Sequence, residues 1–261
     1  MARNIKTKRI VIKIGTNTIT NNCGLLDFNV MRNLVGQISR IKDKRDIAII
    51  TSGAIGAGMR ELGLRERPKD VVGKQVCAAI GQGILMSNYH ALFKKRKIKI
   101  AQILLSYSDF SNVRTYKNLS NSLQRLFGLG VVPIINENDP ISIDEIGPSF
   151  GDNDMLSALI ATKIKADLLL ILTNVGGLYT KEPKSRDAIL VKEVKNIDKR
   201  IEAMAGKPSN LGVGGMQSKI KAAKLATNAG TDVVIANGRA MNSILKVINN
   251  NGIGTNFYAK R

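Results

Sequence analysis

A mostly parallel β-sheet held between two layers of helices, an αβα sandwich of the α/β class, is what this 261-residue sequence predicts. Two observations carry that expectation. Short runs rich in Ile, Val and Leu alternate with longer amphipathic runs along the whole chain, the order expected of successive βα units. The apolar runs are also continuous, as strands are when helices cover both faces of a sheet.

Taken in order, the first strand is expected at 9–14, where Ile10-Val-Ile leads into Lys13, and the first long helix at 28–42. A strand at 46–51 precedes a Gly-rich turn and helices at 54–62 and 74–96. Strands at 98–105 and 131–136 flank a helix at 112–127, and a helix at 153–164 leads to a strand at 167–172. Helices at 196–205 and 215–229, a strand at 232–236 and a helix at 241–249 complete the series. Segments 139–150 and 174–195 are rich in Gly, Pro and charge and read as hairpins or lids at the sheet's edge. With no internal repeat, linker or break in composition, residues 1–261 are read as one domain.

Composition narrows the function. Lys and Arg number 40 against 20 Asp and Glu, a net charge of +20, which raises nucleic acid or an anionic membrane as partners. Apart from Arg3, Lys6, Lys8 and Arg9 and the run Lys94-Lys-Arg-Lys-Ile-Lys99, however, the basic residues are dispersed, which argues against a dedicated surface for either. Aromatic residues are 4% with no Trp, too few for a base-stacking platform. Cys23 and Cys77 have no motif spacing and suggest neither a disulfide framework nor a metal site. The run Ile10-Val-Ile is broken by Lys13, so it does not read as a signal peptide. No stretch approaches the ~20 apolar residues of a membrane span, and a cytoplasmic protein is expected.

The chemistry lies where apolar runs end. Val131-Val-Pro-Ile-Ile gives way to Asn136-Glu-Asn-Asp139, and Asp152, Asn153 and Asp154 stand where a helix should begin. In open α/β sheets ligands bind beyond the carboxyl ends of the strands, so these groups read as a site for a small polar molecule with a cationic group, a metal, or both. Turn formation and helix capping are the bland explanation, and two such clusters weigh against it. Lys13-Ile-Gly15-Thr and Thr51-Ser52-Gly53-Ala add a lysine and small residues at two strand ends. Leu211-Gly-Val213-Gly214-Gly215-Met216-Gln217-Ser218-Lys219 offers free N–H donors, a helix dipole and a lysine, the ingredients of a polyphosphate cradle. None of these is a Walker A or a G-x-G-x-x-G sequence.

Together with Leu172-Thr173-Asn174 and Gly177-Leu-Tyr179, these motifs occur in the order and approximate spacing of the glutamate 5-kinases, and the chain resembles that branch of the amino acid kinase superfamily over essentially its whole length. The resemblance implies ATP- and Mg²⁺-dependent phosphorylation of the side-chain carboxylate of L-glutamate, the first step of proline synthesis. It assigns Lys13 to the transferred phosphoryl group, Lys219 to the β/γ bridge and Asp154 to a place between them. Gly53 would supply an N–H near the reacting oxygen. Asn136 and Asp139 would take the substrate's ammonium, and Ser52 and Asn153 its carboxylates. The nucleotide side would comprise Lys13, Gly15, Thr173, Asn174 and the loop from Val213 and Gly214 through Gly215, Met216, Gln217 and Ser218 to Lys219. Mg²⁺ would be held mainly by the phosphates, with no protein side chain as ligand.

The residues agree with that chemistry. A carboxylate of pKa ~4.3 is ionised at neutral pH, so the acceptor needs no general base and His90 can be idle. What the reaction does need is alignment of two anions and neutralisation of charge on the phosphoryl group, which suits lysines, backbone amides and Mg²⁺. Asn17 and Asn174 depart from the serine and aspartate common in the family. The chain stops at Arg261, soon after the last expected strand, and is expected to lack the small carboxyl-terminal domain, resembling RNA-modifying enzymes, that many relatives carry. Proline is expected as feedback inhibitor and a homo-oligomer as the assembly. The alternatives are a sibling acting on acetylglutamate, UMP or isopentenyl phosphate, and a nucleic-acid-binding protein suggested by charge alone.

Overall fold

A computed structural model describes residues 7–21, 23–141, 153–206 and 215–260. Its strands are β1 (Arg9–Ile14), β2 (Asp46–Ile50), β3 (Ile100–Leu105), β4 (Val132–Glu137), β5 (Leu168–Thr173), β6 (Glu193–Val194), β7 (Asp232–Asn237) and β8 (Thr255–Phe257). They form one sheet in the order β3-β4-β2-β1-β5-β7-β8-β6. The pairings from β3 to β7 are all parallel, β8 runs antiparallel to β7, and β6 pairs parallel with β8 at the edge. The carboxyl ends of β1, β2, β4 and β5 therefore share one edge, with Lys13 opposite both Ile50 and Ile171.

The helices are α1 (Thr16–Ile19), α2 (Phe28–Ile41), α3 (Ala54–Glu61), α4 (Val71–Lys94), α5 (Ser108–Ser111), α6 (Val113–Gly128), α7 (Asn153–Lys163), α8 (Lys199–Met204), α9 (Met216–Asn228) and α10 (Ser243–Ile248). Local chemistry starts several of them. The Asp27 carboxylate accepts from the Asn29 and Val30 N–H groups ahead of α2, and Asp70 accepts from Gly73 ahead of α4. That cap begins α4 at Val71, three residues before the expected start.

Two cores sandwich the sheet. One joins alternate strand residues such as Val11, Ile50, Ile135 and Ile171 to α6, α7 and α9. The other joins Ile10, Ile12, Ile49, Ile134 and Leu170 to α2, α3, α4 and α10. Because strand side chains alternate between faces, this parity also directs the polar residues at the strand ends. Lys13 follows Val11 toward α7 and α9, whereas Asn136 follows Ile134 toward α4.

The expected parallel strands and long helices are present. The two short strands β6 and β8 and the one-turn helices α1 and α5 were not anticipated, because two to four residues are too few to carry a period. Within 174–195, Tyr179 pairs antiparallel with Leu190 and the chain continues into β6, so this segment forms the expected hairpin at the edge of the sheet. Of 139–150, a turn runs through Ile141 and the remainder lies outside the described residues.

Candidate active site

A buried charge centre occupies the α7/α9 side of the shared strand edge. The Lys13 Nζ lies 2.6 Å from Asp154 Oδ1, and the Lys219 Nζ lies 3.0 Å from Asp154 Oδ2. Ser218 Oγ donates to the same Oδ2 at 2.6 Å. Asp154 is fully buried and both lysines nearly so. A lone carboxylate there would be strongly destabilising, and two ammonium groups on its two oxygens remove that penalty. Among the described residues two lysines meet one aspartate in a desolvated place, a setting suited to the phosphates of a ligand.

The sequence delivers these groups by simple geometry. Lys13 is the penultimate residue of β1, Asp154 lies in the first turn of α7 and Lys219 in the first turn of α9. Gly15 lets the chain turn close against β5, since a Cβ there would sit 3.3 Å from the Leu172 carbonyl oxygen. Gly215 precedes α9 without any side-chain cap, so the first N–H groups of that helix have no local acceptor of that kind.

An amide cluster lies on the α4 side of the same edge. The Asn153 Nδ2 group is within hydrogen-bond distance of the Thr51 carbonyl (2.7 Å), Ser52 Oγ (3.0 Å) and Asn136 Oδ1 (2.9 Å). Asn136 Nδ2 in turn donates to Gln82 Oε1 at 2.9 Å. Asn153 Oδ1 and Gln82 Nε2 are buried with no hydrogen-bond partner among the described residues. Two residues of α4 thus reach the strand ends, for Tyr89 OH also meets Thr51 Oγ1 at 2.9 Å. Burial pushes the Tyr89 phenol up to about 12, partly offset by that hydrogen bond, so it remains neutral.

Gly53, with φ of 103°, makes the left-handed turn between β2 and α3 that a residue with a Cβ would resist. Asp139 sits in the turn after β4, partly buried, and burial raises its carboxyl to about 6, with the positive charge of Arg67 opposing the shift. Thr173 ends β5 on the Lys13 face, buried, with exposed Asn174 beside it. Met216 and Gln217 are half-buried in the first turn of α9. Val213 and Gly214 lie outside the described residues. His90 is exposed on α4 and stands apart from the buried charge centre and amide cluster.

The structure therefore brings Lys13, Asp154, Ser218 and Lys219 together, and separately Ser52, Asn136 and Asn153. Gln82 and Tyr89 were missed from sequence. Their only signal was a polar side chain interrupting a helix that is apolar on most sides, Ala78-Ala-Ile-Gly-Gln82-Gly-Ile-Leu85.

Similarity to known proteins fits this geometry. The amino acid kinase family matches residues 8–237. Glutamate 5-kinase of Methanococcoides burtonii is 44% identical over 253 residues, covering 96% of this chain and 68% of that protein. Glutamate 5-kinase of Dehalococcoides mccartyi strain CBDB1 is 48% identical over 254 residues, with the same coverage of 96% and 68%. Among solved structures, carbamate kinase from Giardia lamblia bound to AMP-PNP has a TM-score of 0.66 at 18% identity, over 98% of this chain and 99% of that one. UMP kinase from Bacillus anthracis has a TM-score of 0.65 at 14% identity, over 98% and 97%. At such identities these two likenesses concern the fold alone.

Proposed function

Since the chain belongs to the amino acid kinase family and, within it, to the glutamate 5-kinases, we propose that it transfers the γ-phosphoryl group of ATP to the side-chain carboxylate of L-glutamate. The observation that carries this reading is the buried Lys13–Asp154–Lys219 centre beside an uncharged amide cluster, a place for phosphates next to a place for a polar small molecule.

In this reading a carboxylate oxygen of glutamate attacks the γ-phosphorus as the bond to the β,γ-bridging oxygen breaks. The acceptor is already an anion, so no proton has to move. Lys13 neutralises charge on the transferred phosphoryl oxygens and Lys219 on the departing diphosphate, while Asp154 holds both ammonium groups in position. Gly15, Thr173, Asn174 and residues 213–219 form the nucleotide side. Asp139 and Asn136 take the substrate ammonium, Gly53 supplies an N–H near the reacting oxygen, and Ser52 meets a carboxylate. Asn153 spends its amide hydrogens within the protein, so its share in carboxylate binding is to hold Ser52 and Asn136 in place.

Mg²⁺ supplies further charge neutralisation when bound. Among the described residues no three His, Cys, Asp or Glu side chains converge, and Asp154 is already engaged by two lysines, so the donor set suits an ion carried by the phosphates. Proline, which shares the α-ammonium and α-carboxylate of glutamate, is proposed to compete for the same pocket. A second copy of the chain is proposed as partner, supported by Val72 and Val76 standing 65% and 46% exposed on α4. A cytoplasmic setting belongs to the same reading; among the described residues no helix is long and apolar enough to cross a membrane.

The test is ADP release by purified protein across candidate acceptors. Release should require L-glutamate and Mg²⁺, with hydroxylamine trapping the acyl phosphate as a hydroxamate. Turnover of UMP, acetylglutamate or isopentenyl phosphate without glutamate dependence would refute the reading. Proline should raise the apparent KM for glutamate, and a KM indifferent to proline would contradict the shared pocket.

A further inference from the structure

Gln82 is a buried primary amide on α4, a helix whose neighbouring positions are Gly, Ala, Ile and Leu. Its position along the sheet is fixed by backbone contact. A Cβ on Gly81 would coincide with the Ala54 carbonyl oxygen, and one on Gly58 with the Cys77 carbonyl oxygen. Helices α3 and α4 therefore touch through two glycines, a contact that admits no sliding and sets Gln82 against the end of β4.

The direction of the amide chain follows from its fixed end. The Thr51 carbonyl oxygen is only an acceptor, so Asn153 must present Nδ2 to it, 2.7 Å away. With Nδ2 also 2.9 Å from Asn136, that residue must present Oδ1 to it, and its own Nδ2 then points to Gln82, which must present Oε1. Reversing any one amide sets donor against donor or acceptor against acceptor. Gln82 Oε1 is thus the terminal acceptor of a chain that runs from the β2 end through Asn153 and Asn136. The other end of the Gln82 amide, Nε2, has no partner among the described residues, and a hydrocarbon side chain of the same length would spare the helix that buried donor. Packing alone does not account for a glutamine here.

We infer that Gln82 is a positioning residue of the acceptor pocket: its Oε1 accepts from the Asn136 Nδ2 and so holds in place at the end of β4 the side chain that Asn153 has oriented, the one that meets the substrate. The inference rests on the glutamate reading, yet it concerns a residue of α4 apart from the strand-end and loop motifs. It acts on acceptor binding and leaves the charge centre on the opposite face untouched.

Steady-state kinetics on the full chain test it. Gln82→Met keeps length and removes the acceptor, and should raise KM for glutamate about tenfold with KM for ATP unchanged and kcat within about threefold. Gln82→Glu keeps an oxygen where Oε1 stands and should restore KM to within about threefold of the unsubstituted protein. In an Asn136→Ala background, Gln82→Met should add nothing further. A Gln82→Met protein with unaltered KM, a rise in both KM values together, Gln82→Glu no better than Gln82→Met, or full additivity with Asn136→Ala would each overturn the inference. If Gln82→Met fails to fold in thermal melts, the Gln82→Glu and Asn136→Ala pair still decides it through KM. Unsubstituted protein that shows no glutamate-dependent turnover would remove the functional reading, and the inference with it.

Discussion

Two consecutive residues, Asn153 and Asp154, belong to opposite halves of the candidate site. Asp154 turns to the α7/α9 face of the sheet and binds two lysines; Asn153 reaches the α4 face and binds three neutral oxygens. The first half is ionic and desolvated. The second is uncharged and made of amides in a fixed order. On the proposed function the difference amounts to a division of labour: charge stands where charge would move in the reaction, and directional hydrogen bonds where a molecule would be recognised. Helix α7 begins at the junction, so one helix start ties the two halves to a common frame.

The largest effects should come from the ionic half. Lys13→Met and Lys219→Met should each lower kcat by at least ~100-fold, the scale of a preorganised donor of about 3 kcal/mol, with KM for glutamate changed much less. Asp154→Asn should lower kcat as strongly and also cost about 3–5 kcal/mol of stability, because it leaves two buried ammonium groups without their carboxylate. Kinetics and thermal melts on the three variants check this. A near-normal kcat in any of them would dissolve the proposed boundary between the halves.

Asp139→Asn probes the recognition half. It removes one charge and keeps the shape, so KM for glutamate should rise on the order of 10- to 100-fold, matching ~1.5–3 kcal/mol for a charge-assisted hydrogen bond. KM for ATP should hardly move. Equal effects on both constants would place Asp139 outside the acceptor pocket.

Gly81→Ala sharpens the comparison through the scaffold. The added Cβ meets backbone on α3, which cannot swing aside as a side chain can, so the helices must part at a cost of about 1–3 kcal/mol. Since α3 starts at the Gly53 turn and α4 carries Gln82, KM for glutamate should rise while the charge centre keeps its kcat. A melting temperature equal to that of the unsubstituted protein would show that the two helices do not touch as described.

The smallest effect is the pH response. Burial raises Asp139 from 3.8 to about 6, so it loses its charge as pH falls through about 6. Apparent KM for glutamate should then climb roughly tenfold for a unit below that value, and the climb should vanish in Asp139→Asn. The sign for folding is opposite to that of a paired carboxylate. An acid whose folded pKa is raised binds its proton more tightly when folded, so its contribution favours folding below about 4, declines between about 4 and 6, and is unfavourable above. Stability that rises through this window, compared with Asp139→Asn, would contradict the assigned burial.

Much of this was written in the chain. Continuous Ile, Val and Leu runs fixed the parallel strands, because a strand covered on both faces has no polar side to display. The polar residues that end those runs marked where buried polar groups gather, since Lys13, Asn136, Asn153 and Asp154 fall at strand ends and a helix start whatever the sheet order. Strand parity even fixed which face each strand-end residue would take, once the sheet was known to be buried on both sides.

Only the tertiary structure decided who meets whom. Asp154 and Lys219 are 65 residues apart, and Gln82 and Asn136 are 54, separations over which no local period survives. Strand β8, of three residues, exists because β7 offers an edge to pair with, and β6, of two, because β8 offers the next. Gln82 looked like any polar residue on a helix until two glycines brought α4 against α3 and set its amide at the end of β4. The reason is physical: side-chain period and turn chemistry are properties of neighbours along the chain, whereas the polarity of a hydrogen-bonded amide row or the sharing of one carboxylate by two lysines exists only after distant segments have been packed against each other.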